Sequence, residues 1–275
     1  MHERRVAGLN VALAGDEAAP PLVCLHGLGA SWQAWRAVGE RLSPEFRVIA
    51  VDLPGFGHSP ELAGGRFPLP EVAEILAAAL AELGVARHVV AGHSMGGGVS
   101  IVHALAHPSD VRAIALLAPA GLIATGDVRR SWRLPLAHRA SRELAGVAAP
   151  LLARSGRLRQ RAFARLVADP SALDARTMRD LALGSRAGRS TGAAGTAIVH
   201  QGLRDRIDRL QIPTLVVFGE QDQVIDPSGG PRLAAALPSA RLLMLPKTGH
   251  LPMIERPEEV ASAIRELALE GGANP

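Results

Sequence analysis

The sequence contains no tyrosine, three tryptophans and five phenylalanines, so aromatics fill only 3% of its 275 positions. Its core must be assembled from Ala, Leu and Val, which a hydrophobic content of 48% supplies. There is one cysteine, Cys24, inside the apolar run Pro21-Leu22-Val23-Cys24-Leu25. A single thiol cannot form an internal disulfide, and in such a run it reads as a buried strand residue. No uninterrupted apolar run of about 18 residues is free of charge, Pro and Gly, so no membrane span is expected. The opening Met1-His2-Glu3-Arg4-Arg5 leads into no continuous apolar stretch, so no secretory signal is expected and a cytoplasmic protein is the default. No ligand cluster for a metal or organic cofactor is present, and none is expected.

Charge is the first positive feature. The net charge is +4, yet residues 122–203 hold 14 Arg against 5 acidic residues, leaving the remainder of the chain at −5. Such an asymmetry marks a segment with its own surface, read as a solvated helical insert. Its arginines could meet an anionic group, with Arg129, Arg130 and Arg133 as candidates. No RNA-binding motif, zinc pattern or aromatic interleaving accompanies them, so nucleic acid is not an expected partner.

Along the chain, short apolar runs alternate with helical stretches, the pattern of a mostly parallel sheet covered by helices. The expected strands are Leu22–Leu25, Phe46–Val51, His88–Ala91, Val111–Leu117, Leu215–Phe218 and Arg241–Leu245, with a weaker N-terminal hairpin at Arg5–Gly8 and Asn10–Ala14. Val72, Ile75, Leu76, Ala79, Leu80 and Leu83 recur at helical spacing, predicting a helix over Pro70–Leu83 that stops at Gly84. A last helix is expected over Pro257–Leu269, opened by Glu258 and Glu259, whose charge suits the helix dipole. Between Gly121 and about Asp208 the alternation breaks and no convincing strand occurs. Several inserted helices are expected there, and Ile212-Pro213-Thr214 restarts the core.

Gly-x-Ser-x-Gly occurs twice, at Gly92-His93-Ser94-Met95-Gly96 and at Gly188-Arg189-Ser190-Thr191-Gly192. The pattern is short, and chance alone would supply about 0.17 matches in this composition. Physical context separates the two. A nucleophilic serine of this kind sits on a sharp turn between strand and helix, where a strained backbone demands small residues two before and two after. Ser94 has the strand His88–Ala91 before it and the helix-compatible Gly97–Leu105 after it. Around Ser190 neither is expected, so it reads as a loop serine. His26-Gly27-Leu28-Gly29 follows the first strong strand, and the amides of Leu28 and Met95 are the expected oxyanion donors.

Gly219-Glu220-Gln221-Asp222 and Gly249-His250 each lie past the carboxyl end of a strand, where open α/β sheets bind ligands. Asp222 is the expected acid, with Glu220 and Asp226 as near rivals. Of ten histidines, His250 alone has the location of a base. His26 and His93 read as supports of the two turns, and His103 and His107 as helix residues.

These features together resemble the α/β-hydrolase family across nearly the whole chain. The similar stretches are His26-Gly27-Leu28-Gly29 with Trp35 downstream, Asp52-Leu53-Pro54-Gly55-Phe56-Gly57-His58-Ser59, Gly92–Gly97, Gly219–Asp222 and Gly249-His250. The resemblance implies an eight-stranded, mostly parallel sheet and a helical cap inserted after the sixth strand. It places the cap at 122–205, between core segments 1–121 and 206–275. It further implies the order nucleophile, acid, base for Ser94, Asp222 and His250.

The expected activity is that of a serine hydrolase acting on short to medium acyl esters of a small apolar substrate. Haloalkane dehalogenases and epoxide hydrolases of this fold carry Asp as nucleophile, which Ser94 argues against. Carbon–carbon bond hydrolases share the triad but often show Asn before the serine and Gly-Pro-Gly after the His-Gly; here stand His93 and Leu28-Gly29-Ala30. A cofactor-free perhydrolase or an acyltransferase would look the same from the triad. A non-catalytic small-molecule receptor usually lacks a triad member, and a basic interaction module would rest on the arginines alone. The sequence does not specify the oligomeric state.

Overall fold

The computed structural model describes residues 1–122, 155–200 and 202–272. Eight strands form one sheet: β1 (His2–Val6), β2 (Leu9–Ala14), β3 (Pro21–Leu25), β4 (Arg47–Asp52), β5 (His88–His93), β6 (Val111–Leu117), β7 (Thr214–Gly219) and β8 (Ala240–Leu245). Their spatial order is β1-β2-β4-β3-β5-β6-β7-β8. β1 and β2, and β2 and β4, pair antiparallel, whereas every pair from β4 to β8 is parallel. The expected eight-stranded, mostly parallel architecture is therefore present. The observed strand ends lie within about two residues of the expected ones except at β1. That strand runs His2–Val6 because Ala7 and Gly8, both at positive φ, make the hairpin turn.

The central strands are apolar on both faces because helices cover both. Val23, Val90, Ile114, Leu116, Val216 and Phe218 face one core, shared with α2 (Leu69–Glu82) and α3 (Met95–Ala106). Their neighbours Leu22, Cys24, Val89, Ala91, Ala113, Ala115, Leu117, Leu215 and Val217 face the other. That second core is closed by Val38 and Leu42 of α1 (Arg36–Leu42) and by Val260, Ile264 and Leu267 of the last helix, Pro257–Glu270. The alternation follows from the two-residue period of a strand. Cys24 is fully buried in this second core, as its sequence setting implied.

Between β6 and β7 the described residues hold α4 (Gly156–Phe163), α5 (Ala175–Ala187) and α6 (Thr191–His200), and no strand. Arg129, Arg130 and Arg133 lie outside the described residues, as does much of the 122–205 stretch. After β7 come α7 (Gly229–Ala236), the short α8 (Pro252–Glu255) and α9 (Pro257–Glu270). The insert docks on the core through named contacts. Arg36 reaches Asp180 of α5 at 3.1 Å while its guanidinium lies 4.7 Å from the Trp32 ring. Arg189 donates its main-chain N–H to Gly55 O at 2.8 Å and its guanidinium to Ser59 O at 2.8 Å. Among the described residues no helix is long and apolar enough to cross a membrane.

The strand order also fixes where a ligand site can lie. The chain leaves β3 to form β4 on one side and, later, β5 on the other. The loops beyond β3 and β5 thus diverge at their carboxyl ends, and that crevice is where sheets of this kind take ligands.

Candidate active site

Ser94 occupies the junction of β5 and α3 at φ 50 and ψ −113, a backbone conformation that L residues adopt only under strain. The surroundings show what holds it there. Its N–H continues the β6 ladder to Leu117 O at 2.9 Å, and its carbonyl accepts from Gly97, Gly98 and Ala120. The demand for small flanking residues is steric. A methyl group on Gly96 would collide with the carbonyls of Leu25 and His26, and one on Gly92 with Gly96 O and Ser100 Oγ. Met95 opens α3, so its N–H has no intrahelical acceptor.

The loop after β3 is set by His26, fully buried. Leu53 N–H donates to His26 Nε2 at 3.0 Å, which leaves the ring proton on Nδ1, 2.8 Å from Gly27 O. The Gly27–Leu28 peptide is thereby turned with its oxygen toward the ring and, being trans, its Leu28 N–H away from it. Burial keeps the His26 imidazole below its usual pKa, in line with a neutral scaffold role. Among the described residues neither the Leu28 nor the Met95 N–H has a backbone or side-chain acceptor.

His250 Nδ1 lies 2.7 Å from Asp222 Oδ2, with the two side chains 5% and 0% exposed. The other carboxylate oxygen of Asp222 accepts from Val224 N at 2.7 Å and Ile225 N at 2.9 Å, locking its orientation. The rivals are elsewhere: Glu220 is exposed, and Asp226, also exposed, caps Ser228 N at 2.9 Å. The His250 loop is registered to the Ser94 turn through His93, whose Nε2 is 2.8 Å from His250 O. Among the described residues no hydrogen bond joins Ser94 Oγ to His250 or to any other group. The structure thus brings Asp222 and His250 into contact and sets the His250 loop against the Ser94 turn.

Ser190 is a turn residue, as expected, but a helix follows it directly: the turn joins α5 and α6. No strand precedes it, and its hydroxyl is buried beside Gly55 without a partner. It lacks the strand-to-helix setting of Ser94. Helix α6 itself lies over the β3 loop, since a methyl on its Gly195 would stand 3.9 Å from Leu28 Cδ2. A separate cavity of about 130 Å³ lies between α1 and α5, walled by Arg36, Glu40, Asp174, Arg176 and Asp180, away from Ser94. Among the described residues no three His, Cys, Asp or Glu side chains converge as a metal-binding set.

Glu255 joins these loops although no sequence motif marks it. It accepts Gly249 N at 2.9 Å, Leu251 N at 3.4 Å and, from the insert, Ala168 N at 2.7 Å. A lone acid in the otherwise apolar run Leu251-Pro252-Met253-Ile254 was its one visible sign.

Comparison with known proteins shows the family. A family model described as alpha/beta hydrolase fold matches residues 20–257. The chain is 31% identical over 258 residues to a pimeloyl-[acyl-carrier protein] methyl ester esterase of Aeromonas hydrophila, covering 89% of this chain and 94% of that protein. It is 33% identical over 252 residues to the dihydrolipoyllysine-residue acetyltransferase component of the acetoin cleaving system of Pseudomonas putida. That match covers 90% of this chain but spans only 62% of the relative's length. A thermophilic esterase from Thermogutta terrifontis superposes with a TM-score of 0.76 at 24% identity, covering 98% of this chain and 99% of the esterase chain.

Proposed function

The chain belongs to the α/β-hydrolase fold family, and on that premise we propose that it hydrolyses carboxylic esters of small apolar substrates with Ser94 as nucleophile, His250 as base and Asp222 as orienting acid. The observation that carries the reading is the 2.7 Å contact between Asp222 Oδ2 and His250 Nδ1, set beside a serine on a strained strand-to-helix turn. Asp222 accepts the Nδ1 proton, which leaves Nε2 as the imidazole's acceptor.

In the first half-reaction His250 Nε2 takes the Ser94 Oγ proton as the oxygen attacks the ester carbonyl. The oxyanion is met by the Leu28 and Met95 N–H groups, both without other acceptors. Collapse of the intermediate expels the alcohol, which receives the proton from His250, and leaves an acyl group on Ser94. Water, deprotonated by the same imidazole, then attacks the acyl carbonyl; the acid departs and Ser94 Oγ recovers its proton. The hydrogen bond between Ser94 and His250 forms as substrate engages, as catalytic hydrogen bonds often tighten only in the complex.

An apolar substrate fits the partly exposed side chains of this rim. Leu28, Leu122 and Val224 follow the carboxyl ends of β3, β6 and β7, and Ala193 comes from α6. The insert then serves as a cap over the acyl group. The esterase relative of Aeromonas, matched over nearly its whole length, points to the same bond type. The test is turnover of p-nitrophenyl esters from acetate to octanoate by the wild type and by Ser94→Ala. Hydrolysis that falls to background in the variant is expected; a wild type no faster than Ser94→Ala across the panel defeats the reading. Cleavage of a vinylogous 1,5-diketone acid without ester turnover would assign carbon–carbon hydrolysis instead.

A further inference from the structure

His250 is held through its own main chain as well as its ring. Its N–H donates to Leu166 O at 2.8 Å, and Leu166 belongs to the insert, three residues past α4. Two residues further on, Ala168 N–H donates to Glu255 Oε2 at 2.7 Å. The same carboxylate accepts Gly249 N–H at 2.9 and 3.0 Å and Leu251 N–H at 3.4 Å. One side chain therefore gathers N–H groups from both neighbours of His250 and from the insert. The two backbones pack directly, because a methyl on Gly249 would stand 2.8 Å from Val167 Cα. Phe163 and Val167, on either side of Leu166, are buried in the core beneath.

We propose that Glu255 is a positioning residue that seats the insert segment Leu166–Ala168 against the His250 loop, so that the base is in place only while the insert is docked. This rests on the reading of His250 as the base. A partly buried carboxylate is a costly way to close an ordinary loop, and burial does push its pKa up, against the N–H groups that favour its charged form. Three backbone donors from two remote segments, with the insert also supplying the acceptor for the base's own N–H, are what a joint requires. Removal of the carboxylate leaves those donors competing for water and frees both segments at once.

The experiment compares the full-length wild type with Glu255→Gln and Glu255→Asp. The amide keeps one oxygen, but its NH₂ opposes the N–H groups the second carboxylate oxygen now accepts. Amide hydrogen exchange is expected to rise about 10- to 100-fold in Glu255→Gln at residues 166–168 and 249–251 together, the range for losing a charge-assisted hydrogen bond, with β5 and α3 unchanged. In the p-nitrophenyl ester assay kcat should fall by about the same factor with KM within about threefold, and Glu255→Asp should recover part of both effects. Exchange that rises only at 249–251, or in neither segment, overturns the proposal, as does faster exchange in both with kcat unchanged. A wild type that turns over no ester defeats the ester reading alone, because the exchange data still decide whether Glu255 seats the insert.

Discussion

His93 Nε2 lies 2.8 Å from the main-chain oxygen of His250, and the two imidazole rings are 4.7 Å apart. A carbonyl only accepts, so His93 carries its proton on Nε2 and donates it. The ring is fully buried and flanked by His250 and His26, and burial holds its pKa well below the usual value. The residue directly before Ser94 thus tethers the His250 loop. His93→Leu should lower kcat about 10- to 100-fold with KM little changed, the cost of losing a buried hydrogen bond at a site that needs placement within a fraction of an ångström. His93→Gln, which can place an N–H near the same point, should recover a measurable share. Equal kcat in the wild type and His93→Leu would show that the tether does not matter.

At the opposite end of β5, His88 Nε2 and His103 Nε2 are 3.1 Å apart with stacked rings, and His107 lies 5.0 Å from His103. Burial, the largest cause in each case, pushes the pKa of His88 down to about 4 and that of His103 to about 3, against the opposing pull of Asp110. Both are neutral in the fold at pH 7, and the unfolded chain takes up their protons first as the pH falls. Their neutral pairing is at full effect above about pH 6.5 and is lost on descent toward pH 4, at up to about 1.4 kcal/mol per pH unit for each ring. Urea unfolding between pH 4.5 and 7.5 should show this slope. His103→Gln, which removes one titrating group and keeps a partner for His88, should reduce it by about a quarter, because buried His26 and His93 titrate in the same direction. An unaltered slope would place the acid sensitivity elsewhere.

How far the sequence reveals this molecule depends on the kind of signal each part leaves. The Ser94 turn was legible because sterics fix residue types: Gly92 and Gly96 have no room for a methyl, and an apolar run must feed the turn. Asp222 was harder to single out, since Glu220 and Asp226 lie close by in sequence. What distinguishes it is a turn that caps Val224 and Ile225 while burying the carboxylate. Helix α7 was missed because Gly229-Gly230-Pro231 looks like a turn, although Leu233 packs its face into the core. The role of Glu255 leaves almost no trace, for its partners are backbone N–H groups of Ala168, Gly249 and Leu251, and any residue but proline supplies one.

Cys24 provides a probe of the sheet itself. It is fully buried in β3, and burial raises its thiol pKa far above the ordinary range. With so little thiolate and no access, native protein should react with an aromatic disulfide reagent only through global opening, a fraction of about 10⁻³ to 10⁻⁶ of molecules. Labelling should be complete within minutes in denaturant and negligible over the same time without it. Stoichiometric labelling of the native protein would show that β3 is exposed by local motion.

The seat of the insert on the core can be tested at Gly55. Its carbonyl accepts Arg189 N at 2.8 Å and Ser190 N at 3.3 Å, and its own φ is +78. A methyl group there would collide with Ser190 Oγ and Cβ. Gly55→Ala therefore carries two separable penalties. The left-handed backbone costs about 1 kcal/mol with any L side chain, and the collision adds to it by pushing the start of α6 off the Asp52–Pro60 loop. The double variant Gly55→Ala/Ser190→Gly removes the collision and keeps the backbone penalty. Gly55→Ala alone should lose about 2–3 kcal/mol and open the backbone beside the exposed Arg179 and Arg189 to trypsin, while the double variant should recover the resistance of the insert but not the full stability. Because α6 also lies over Leu28, ester turnover should follow the protease resistance rather than the melting temperature. Turnover that tracks stability instead would mean that the placement of α6 has no part in the site.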